Sequence, residues 1–335
     1  MTLDEDKIYN IDHESEKPFP EQLAELVNGK FDGKMLTVDN KIAKATYEFF
    51  TELDNIKLVI HKSEMRSKVN VRHNPILQSN DFVYLMMLKE GEITHIYESE
   101  NNIEVFGPKR QRGIMITNLK YPLINQSEAT GYCEWFTILV RKTTLIDLIE
   151  GAKKEEVKKI ISSNDPWLFF EPFNLEVVTA LEKIFSVEEK VARKLKIYGQ
   201  SLIILAETMN LLGSRKSEDT SRLSVHDTAR MFEVKEYITQ DLSVTPNLEE
   251  ICNEFGLSRS KLIRDFKAEF GRPVYKFYNH VRMEEARVML VDKGLSVTEV
   301  SQELGFKGLS KFSDAFKNFY GMSPKTMVEL STKME

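Results

Sequence analysis

The chain has 335 residues, of which 41% are hydrophobic and 29% charged, with a formal net charge of −6. This is the composition of an ordinary folded protein with room for two domains, and it excludes low-complexity and fibrous classes. The acidic balance removes bulk positive charge as an argument for a nucleic-acid partner; even the segment from Leu223 onward is close to neutral, so any basic footprint has to be one-sided.

Residues 1–30 form an acidic, polar arm with Pro18 and Pro20 and a short predicted helix at 21–27. The arm lacks the basic and apolar regions of a signal peptide, and no apolar run in the chain is long enough to span a bilayer. Two distant cysteines, Cys133 and Cys252, give no disulfide framework, so the expected setting is reduced and cytoplasmic, without a membrane.

From 31 to 165 the texture is short apolar runs broken by polar turns. Strands are predicted at 35–38, 56–61, 68–72, 82–88, 93–97, 103–106, 113–117 and 132–141, with a hairpin turn at Lys89-Glu-Gly91-Glu. That spacing argues for a sandwich or a small barrel rather than a doubly wound sheet. Tyr84, Tyr97, Phe106 and Trp135 fall on strands, as pocket-lining residues for a small-molecule effector or simply as core. His61, His73 and His95 stand singly with no metal-ligand spacing, so neither a metal nor a cofactor is expected.

Helices follow at 144–150 and 154–161, closing at Asn164-Asp-Pro166, and then a stripe of Leu175, Val178, Leu181, Ile184 and Phe185. Val191, Leu195, Tyr198, Leu202, Leu205, Met209 and Leu212 alternate steps of four and three. Such a heptad seam fits either a helix packed on its own sheet or one shared between two subunits, which makes 166–213 the expected dimerisation segment. The polar stretch 214–223 reads as a flexible linker.

Residues 224–335 form an all-α domain that contains the same statement twice. Asn247 to Lys267 and Ser296 to Lys317 each give a capped helix, a glycine turn (Gly256, Gly305) and a second helix ending in Phe-Lys, about fifty residues apart. Asn247 with Glu250 and Ser296 with Glu299 have the spacing of capping boxes. Each copy describes a helix-turn-helix, whose second helix enters the DNA major groove. Between the copies, 274–291 makes one helix of roughly 27 Å, a spacer suited to holding two reading helices about one turn of duplex apart.

The pattern Gly256-Leu-Ser258, Phe266-Lys267, Gly271-Arg-Pro, Val281-Arg282 to Leu290, Gly305-Phe306, Phe312, Phe316-Lys317 and Gly321-Met-Ser-Pro324 resembles the DNA-binding domain of AraC/XylS family transcription regulators. The resemblance covers a little under a third of the chain. It implies a cupin-like β-barrel at the N-terminus that senses a ligand. The whole is then α+β: a cupin-like barrel with C-terminal flanking helices, followed by the double helix-turn-helix domain.

On the first reading helix Ser258 is the natural N-cap, leaving Arg259, Ser260, Ile263 and Arg264 on the outer face. Arg264 is the expected base reader, since a guanidinium forms two hydrogen bonds with guanine. Ser260 and Ile263 fall where the family places base contacts, while Arg259, Lys261 and Lys267 are expected at phosphate. On the second helix Leu309, Ser310, Lys311 and Asp314 occupy the contact face, with Lys317 behind. Asp314 repels phosphate: either this helix serves mainly as a backbone anchor, or Asp314 pairs with Lys311 or Lys317. Arg282 and Arg287 are expected to form salt links with Glu284 and Glu285.

The expected function is a sequence-specific, ligand-responsive, dimeric transcription regulator that binds double-stranded DNA, with RNA polymerase a further possible partner. Two rivals stand beside it: a protein-interaction module that does not touch DNA, and a cupin-type enzyme. For the enzyme the sequence offers no metal triad, nucleophile–base pairing or phosphate loop, so no catalytic residue is named.

Overall fold

A computed structural model describes residues 8–76, 82–98, 103–106, 113–120, 122–129, 131–152, 154–187, 191–215 and 225–332. They divide into two compact units, 1–229 and 230–335.

The first unit is sheet-rich. Its strands are β1 (Ile8–Ile11), β2 (Lys30–Phe31), β3 (Met35–Asp39), β4 (Ala43–Leu53), β5 (Ile56–Met65), β6 (Val69–His73) and β7 (Phe82–Glu90). They continue with β8 (Thr94–Glu98), β9 (Ile103–Phe106), β10 (Gly113–Thr117), β11 (Leu123–Ser127), β12 (Tyr132–Arg141) and β13 (Leu168–Pro172). Eight form one sheet in the order β13-β10-β7-β12-β5-β4-β3-β2, and five form another in the order β1-β6-β11-β8-β9. Among the described residues neither sheet closes on itself, so the unit is two facing sheets and not a single closed barrel.

Period-two alternation explains how the larger sheet serves two masters. On one face Phe50, Leu58, Ile60, Leu85, Met87, Phe136 and Ile138 join a core with helices α2 (Lys142–Leu148), α3 (Lys154–Ile161), α4 (Leu175–Ser186) and α5 (Arg193–Ser214). On the other, Tyr47, Phe49, Val59, Tyr84, Trp135 and Thr137 face a cavity whose far wall comes from β6 and β11 of the smaller sheet. The short helix α1 (Phe19–Leu26) lies beside the cavity, and its Leu23 and Ala24 join a second apolar cluster.

Five strands (β1, β2, β4, β11 and β13) lie outside the predicted set. The largest miss is β4, whose polar residues have distant partners: Arg193 at the start of α5 grips Glu48 with both terminal nitrogens, and Lys194 and the Tyr198 hydroxyl meet Glu52. At its far end α5 is fixed by Arg215, which pairs with Glu171 of β13 at 2.6 Å, both side chains fully buried.

The heptad seam divides rather than presenting one face. Tyr198, Leu205 and Leu212 are buried in the unit's own core, and Met209 packs against it. Val191 precedes the helix and is fully exposed, while Leu195 is 76% and Leu202 47% exposed. A heptad repeat reports spacing, not which side meets the parent sheet, and here the edge carrying Tyr198, Leu205 and Leu212 faces inward while the edge carrying Leu195 and Leu202 faces outward.

The second unit is all α. It begins within α6 (Val225–Thr239) and continues with α7 (Leu248–Glu254), α8 (Arg259–Phe270), α9 (Val274–Val291), α10 (Val297–Glu303), α11 (Leu309–Tyr320) and α12 (Pro324–Thr332). Two aromatic groups fill it. Phe266, Phe270 and Phe277 meet with centroids 4.6–5.4 Å apart, joined by Phe232; Phe306, Phe312, Phe316 and Tyr320 form the second. On α6, Phe232, Val234 and Ile238 are buried.

Candidate nucleic-acid interface and sensing cavity

Each helix-turn-helix is built by its own local chemistry. Asn247 caps α7 by accepting from the Glu249 amide, and Glu250 accepts from the Asn247 side-chain amide at 2.9 Å instead of from the backbone. Ser296 and Glu299 form the complete reciprocal box at α10. Gly256 and Gly305 both take left-handed backbone, with φ of 57° and 66°. At Gly305 a Cβ would also lie 2.2 Å from the Ser243 carbonyl oxygen, so the second turn is docked against the α6–α7 connection.

The spacer α9 contacts the helices of both copies. Arg282 stacks 3.8 Å from the Phe306 ring centroid and donates Nε and Nη2 to the Leu304 carbonyl, which ends α10. Glu284 accepts from the Tyr320 hydroxyl at 2.8 Å, Glu285 pairs with Lys293, and Arg287 lies 3.9 Å from Asp292. The acids and arginines of α9 reach neighbouring segments because the helix is half buried and its charged tips find partners there.

On α8, Ser258 caps the helix by accepting from the Lys261 amide. Ser258, Arg259, Ser260, Ile263 and Arg264 are exposed, with Lys261 and Lys267 half-buried. Leu262 and Phe266 are fully buried, as their helical spacing requires. Asp265, on that same inward stripe, is also fully buried; it accepts from Arg264 Nε at 2.8 Å and from Lys261 Nζ at 2.7 Å. Sequence reasoning passed over it, although an acid on an apolar stripe with a lysine four residues before was the signal. On α11, Leu309, Ser310, Lys311, Asp314 and Lys317 are all exposed. Asp314 forms no ion pair with Lys311, Lys317 or any other described residue, so the pairing alternative fails.

The cavity of the first unit is about 630 Å³. Of the four strand aromatics, Tyr84 and Trp135 line this cavity, whereas the side chains of Tyr97 and Phe106 lie outside the described residues. The histidines read as isolated are in part joined: His13 Nε2 lies 2.9 Å from His73 Nδ1, His73 Nε2 accepts from Asn125 at 3.2 Å, and Asn125 Oδ1 lies 2.8 Å from His95 Nδ1. Register brings them together, since β6 and β11 pair with His73 opposite Leu123, and β11 and β8 pair Asn125 with His95. Burial pushes the pKa of His73 well below the ordinary 6.5 and that of His13 down to about 4, although the His13 ring keeps some exposure. Among the described residues no group of three or more His, Cys, Asp and Glu is arranged to hold a metal.

Comparison with known proteins follows the C-terminal unit. Residues 251–329 match the family model described as a helix-turn-helix domain. The xylose operon regulatory protein of Escherichia coli K12 is 28% identical over 120 residues, 36% of this chain and 30% of that protein. The Msm operon regulatory protein of Streptococcus mutans is 32% identical over 92 residues, 28% of this chain and 33% of that protein. The chain thus spans about a third of the length of these curated relatives. Among solved structures, the C-terminal domain of AraT, a response regulator from Geobacillus stearothermophilus, is 28% identical, covering 33% of this chain and 88% of that one with a TM-score of 0.29. With two glycine-turned copies, the Phe-Lys endings, the matched helix-turn-helix model and the two operon regulators in agreement, the C-terminal unit of this chain is an AraC/XylS-type helix-turn-helix domain.

Proposed function

We propose that the protein is a transcription regulator in which α8 and α11 read successive major-groove segments of one DNA duplex. The observation that carries this reading is the pair of exposed faces on the second helix of each copy, on either side of an 18-residue α9 that contacts both. Arg264 reads bases; Arg259, Lys261 and Lys267 meet phosphate; Ser258, Ser260 and Ile263 complete the first face. Leu309, Ser310, Lys311 and Lys317 anchor the second copy to the backbone, with Asp314 contributing no attraction. The xylose and Msm relatives are named as operon regulators, which supports the same assignment here.

The sheet-rich unit, 31–165, acts as a cupin-like sensor of a small-molecule effector, with its cavity as the binding site. Segment 166–213 supplies the dimer contact through the exposed part of α5, and 214–223 links it to the DNA-binding unit, 224–335. RNA polymerase is the partner of a bound activator. The protein works in the cytoplasm and is not an enzyme; no helix among the described residues is long and apolar enough to cross a membrane. A salt-dependent gel shift on genomic fragments tests the assignment. Retention that weakens steeply with salt is expected, because each neutralised phosphate releases counterions; no retention at low salt overturns it.

A further inference from the structure

The cavity between the two sheets combines an aromatic lining with a cluster of polar side chains, and among the described residues no charged lining residue is buried. Its apolar wall is aromatic: Phe19, Phe49, Tyr47, Phe82, Tyr84 and Trp135 all line it. The polar end is the hydrogen-bonded series His13–His73–Asn125–His95, with Ser127 and Thr137 close by on β11 and β12.

The direction of that series follows from Asn125. Its amide nitrogen donates to His73 Nε2, so neutral His73 carries its proton on Nδ1 and donates to His13 Nε2. Neutral His13 then holds its own proton on Nδ1, an uncharged N–H donor on a ring that lines the cavity. Behind the wall, His61 is fully buried between the Tyr47 and Trp135 rings, and neither of its ring nitrogens has a hydrogen-bond partner. Burial keeps it neutral as well.

Charged lining residues exist, but at the rim. Lys57 is exposed and stands over the Phe82 ring, Lys17 is paired with Glu25, and Asp12 and Glu21 are exposed. Among the described residues none places a buried charge in the interior. An ionised carboxylate taken inside would lose its hydration with no buried cation among the described residues to replace it, and an ammonium group would lack a buried anion among them.

We infer that the effector bound in this cavity is an uncharged aromatic or polycyclic molecule bearing a hydroxyl or carbonyl group, stacked on the aromatic wall and hydrogen-bonded to the neutral histidine–asparagine series. This rests on the sensing role proposed above for the first unit. A volume of about 630 Å³ lies in the range that takes up one drug-sized ligand.

The test uses the full-length protein at pH 7 and two probes of nearly one shape, 1-naphthol and 1-naphthoate. Binding is read by quenching of tryptophan fluorescence and by thermal shift. The expected result is that 1-naphthol binds at least about tenfold tighter than the carboxylate, the difference being the uncompensated charge. Val59→Phe, which fills the cavity, weakens 1-naphthol at least about tenfold while the thermal transition shows the variant folded. Naphthoate binding as tightly as naphthol overturns the inference, as does failure of both probes to bind. Should Val59→Phe not fold, competition between 1-naphthol and Trp135-directed quenching in Thr137→Leu replaces it, with unchanged naphthol affinity counting against the cavity. No DNA enters this experiment, so a negative gel shift and a negative probe titration fail separately.

Discussion

Arg264 donates from Nε to Oδ1 of Asp265 at 2.8 Å, and the carboxylate that holds it is fully buried while the arginine side chain is 66% exposed. The contact uses Nε, on one edge of the guanidinium of an exposed arginine on the face proposed to meet DNA. A buried acceptor therefore restrains an exposed reader, which reduces the side-chain entropy lost when a base is engaged. Lys261, held by the other carboxylate oxygen at 2.7 Å, is restrained by the same group.

Replacing Arg264 by Ala is expected to lower specific DNA affinity by ~1–3 kcal/mol, the discrimination of a bidentate guanine contact. Asp265→Asn keeps the shape and removes the charge, and should lower specific affinity about tenfold, the scale of one charge-assisted hydrogen bond. The double variant should bind no worse than Arg264→Ala alone. Additive losses in a gel-shift cycle against random competitor DNA would mean that Asp265 acts through the fold and not through Arg264.

The second reading helix should answer differently. Asp314 is exposed and has no partner among the described residues, so removing its charge disrupts nothing inside the protein. Asp314→Ala is expected to leave specificity unchanged and to raise affinity for all sequences by a few-fold, because one repulsion with phosphate disappears. A loss comparable to that of Arg264→Ala would show that α11 reads a base through this carboxylate.

What the sequence disclosed about this site depended on distance along the chain. The spacer α9 runs over the expected 274–291, and Ser258, Ser296, Gly256 and Gly305 act as caps and turns, because these features are set by residues three or four positions apart. Strand β4 left no such trace: Lys44, Thr46, Glu48 and Glu52 look like loop chemistry until α5, about 145 residues on, supplies Arg193 and Lys194. The histidine series was invisible for the same reason, since His13, His73, His95 and Asn125 meet only through strand register. Asp265 was legible in principle, because its position on the inward stripe of α8 follows from helical period alone.

Gly305 is the tightest point between the two copies' surroundings. Its φ of 66° disfavours any Cβ, and the Ser243 carbonyl occupies the place that a Cβ would take. Gly305→Ala should destabilise the C-terminal unit by about 2 kcal/mol or more, from backbone strain together with displacement of the 240–247 connection. Hydrogen exchange on the full chain would show α10 and α11 opening more readily, while the sheet-rich unit keeps its protection. Gly294, with φ of 67° and open space around it, offers the control: there Ala should cost only the strain.

The buried histidines make the first unit acid-sensitive in a definite direction. His13 and His73 titrate below the ordinary 6.5 in the folded protein, His13 at about 4, and burial is the largest cause for each. For His73 the neighbouring His13 and His95 add repulsion, and for His13 the adjacent Asp12 works the other way. Between about 4 and 6.5 the unfolded chain therefore binds more protons than the folded one, so stability falls as pH falls through that window. Denaturation followed at Trp135 and Trp167 should show it. His73→Gln should flatten the dependence; an equally steep fall in that variant would assign it to carboxylates instead.

The split seam of α5 gives the dimer proposal a sharp form. Leu195 and Leu202 lie on the exposed side with Gly199 and Ala206, whereas Tyr198, Leu205 and Leu212 hold the helix to its own sheet. Of the two, the first set is exposed to a second copy, and small Gly199 and Ala206 on the same side let two helices approach closely. Leu195→Lys with Leu202→Lys should convert the protein to a monomer in sedimentation velocity with its thermal stability nearly unchanged, since surface substitutions cost little. Leu205→Lys should instead unfold the sheet-rich unit, because it places a charge in an apolar core. If the exposed pair of substitutions leaves a dimer intact, the subunits join elsewhere, and α5 serves only as the clamp between β4 and β13.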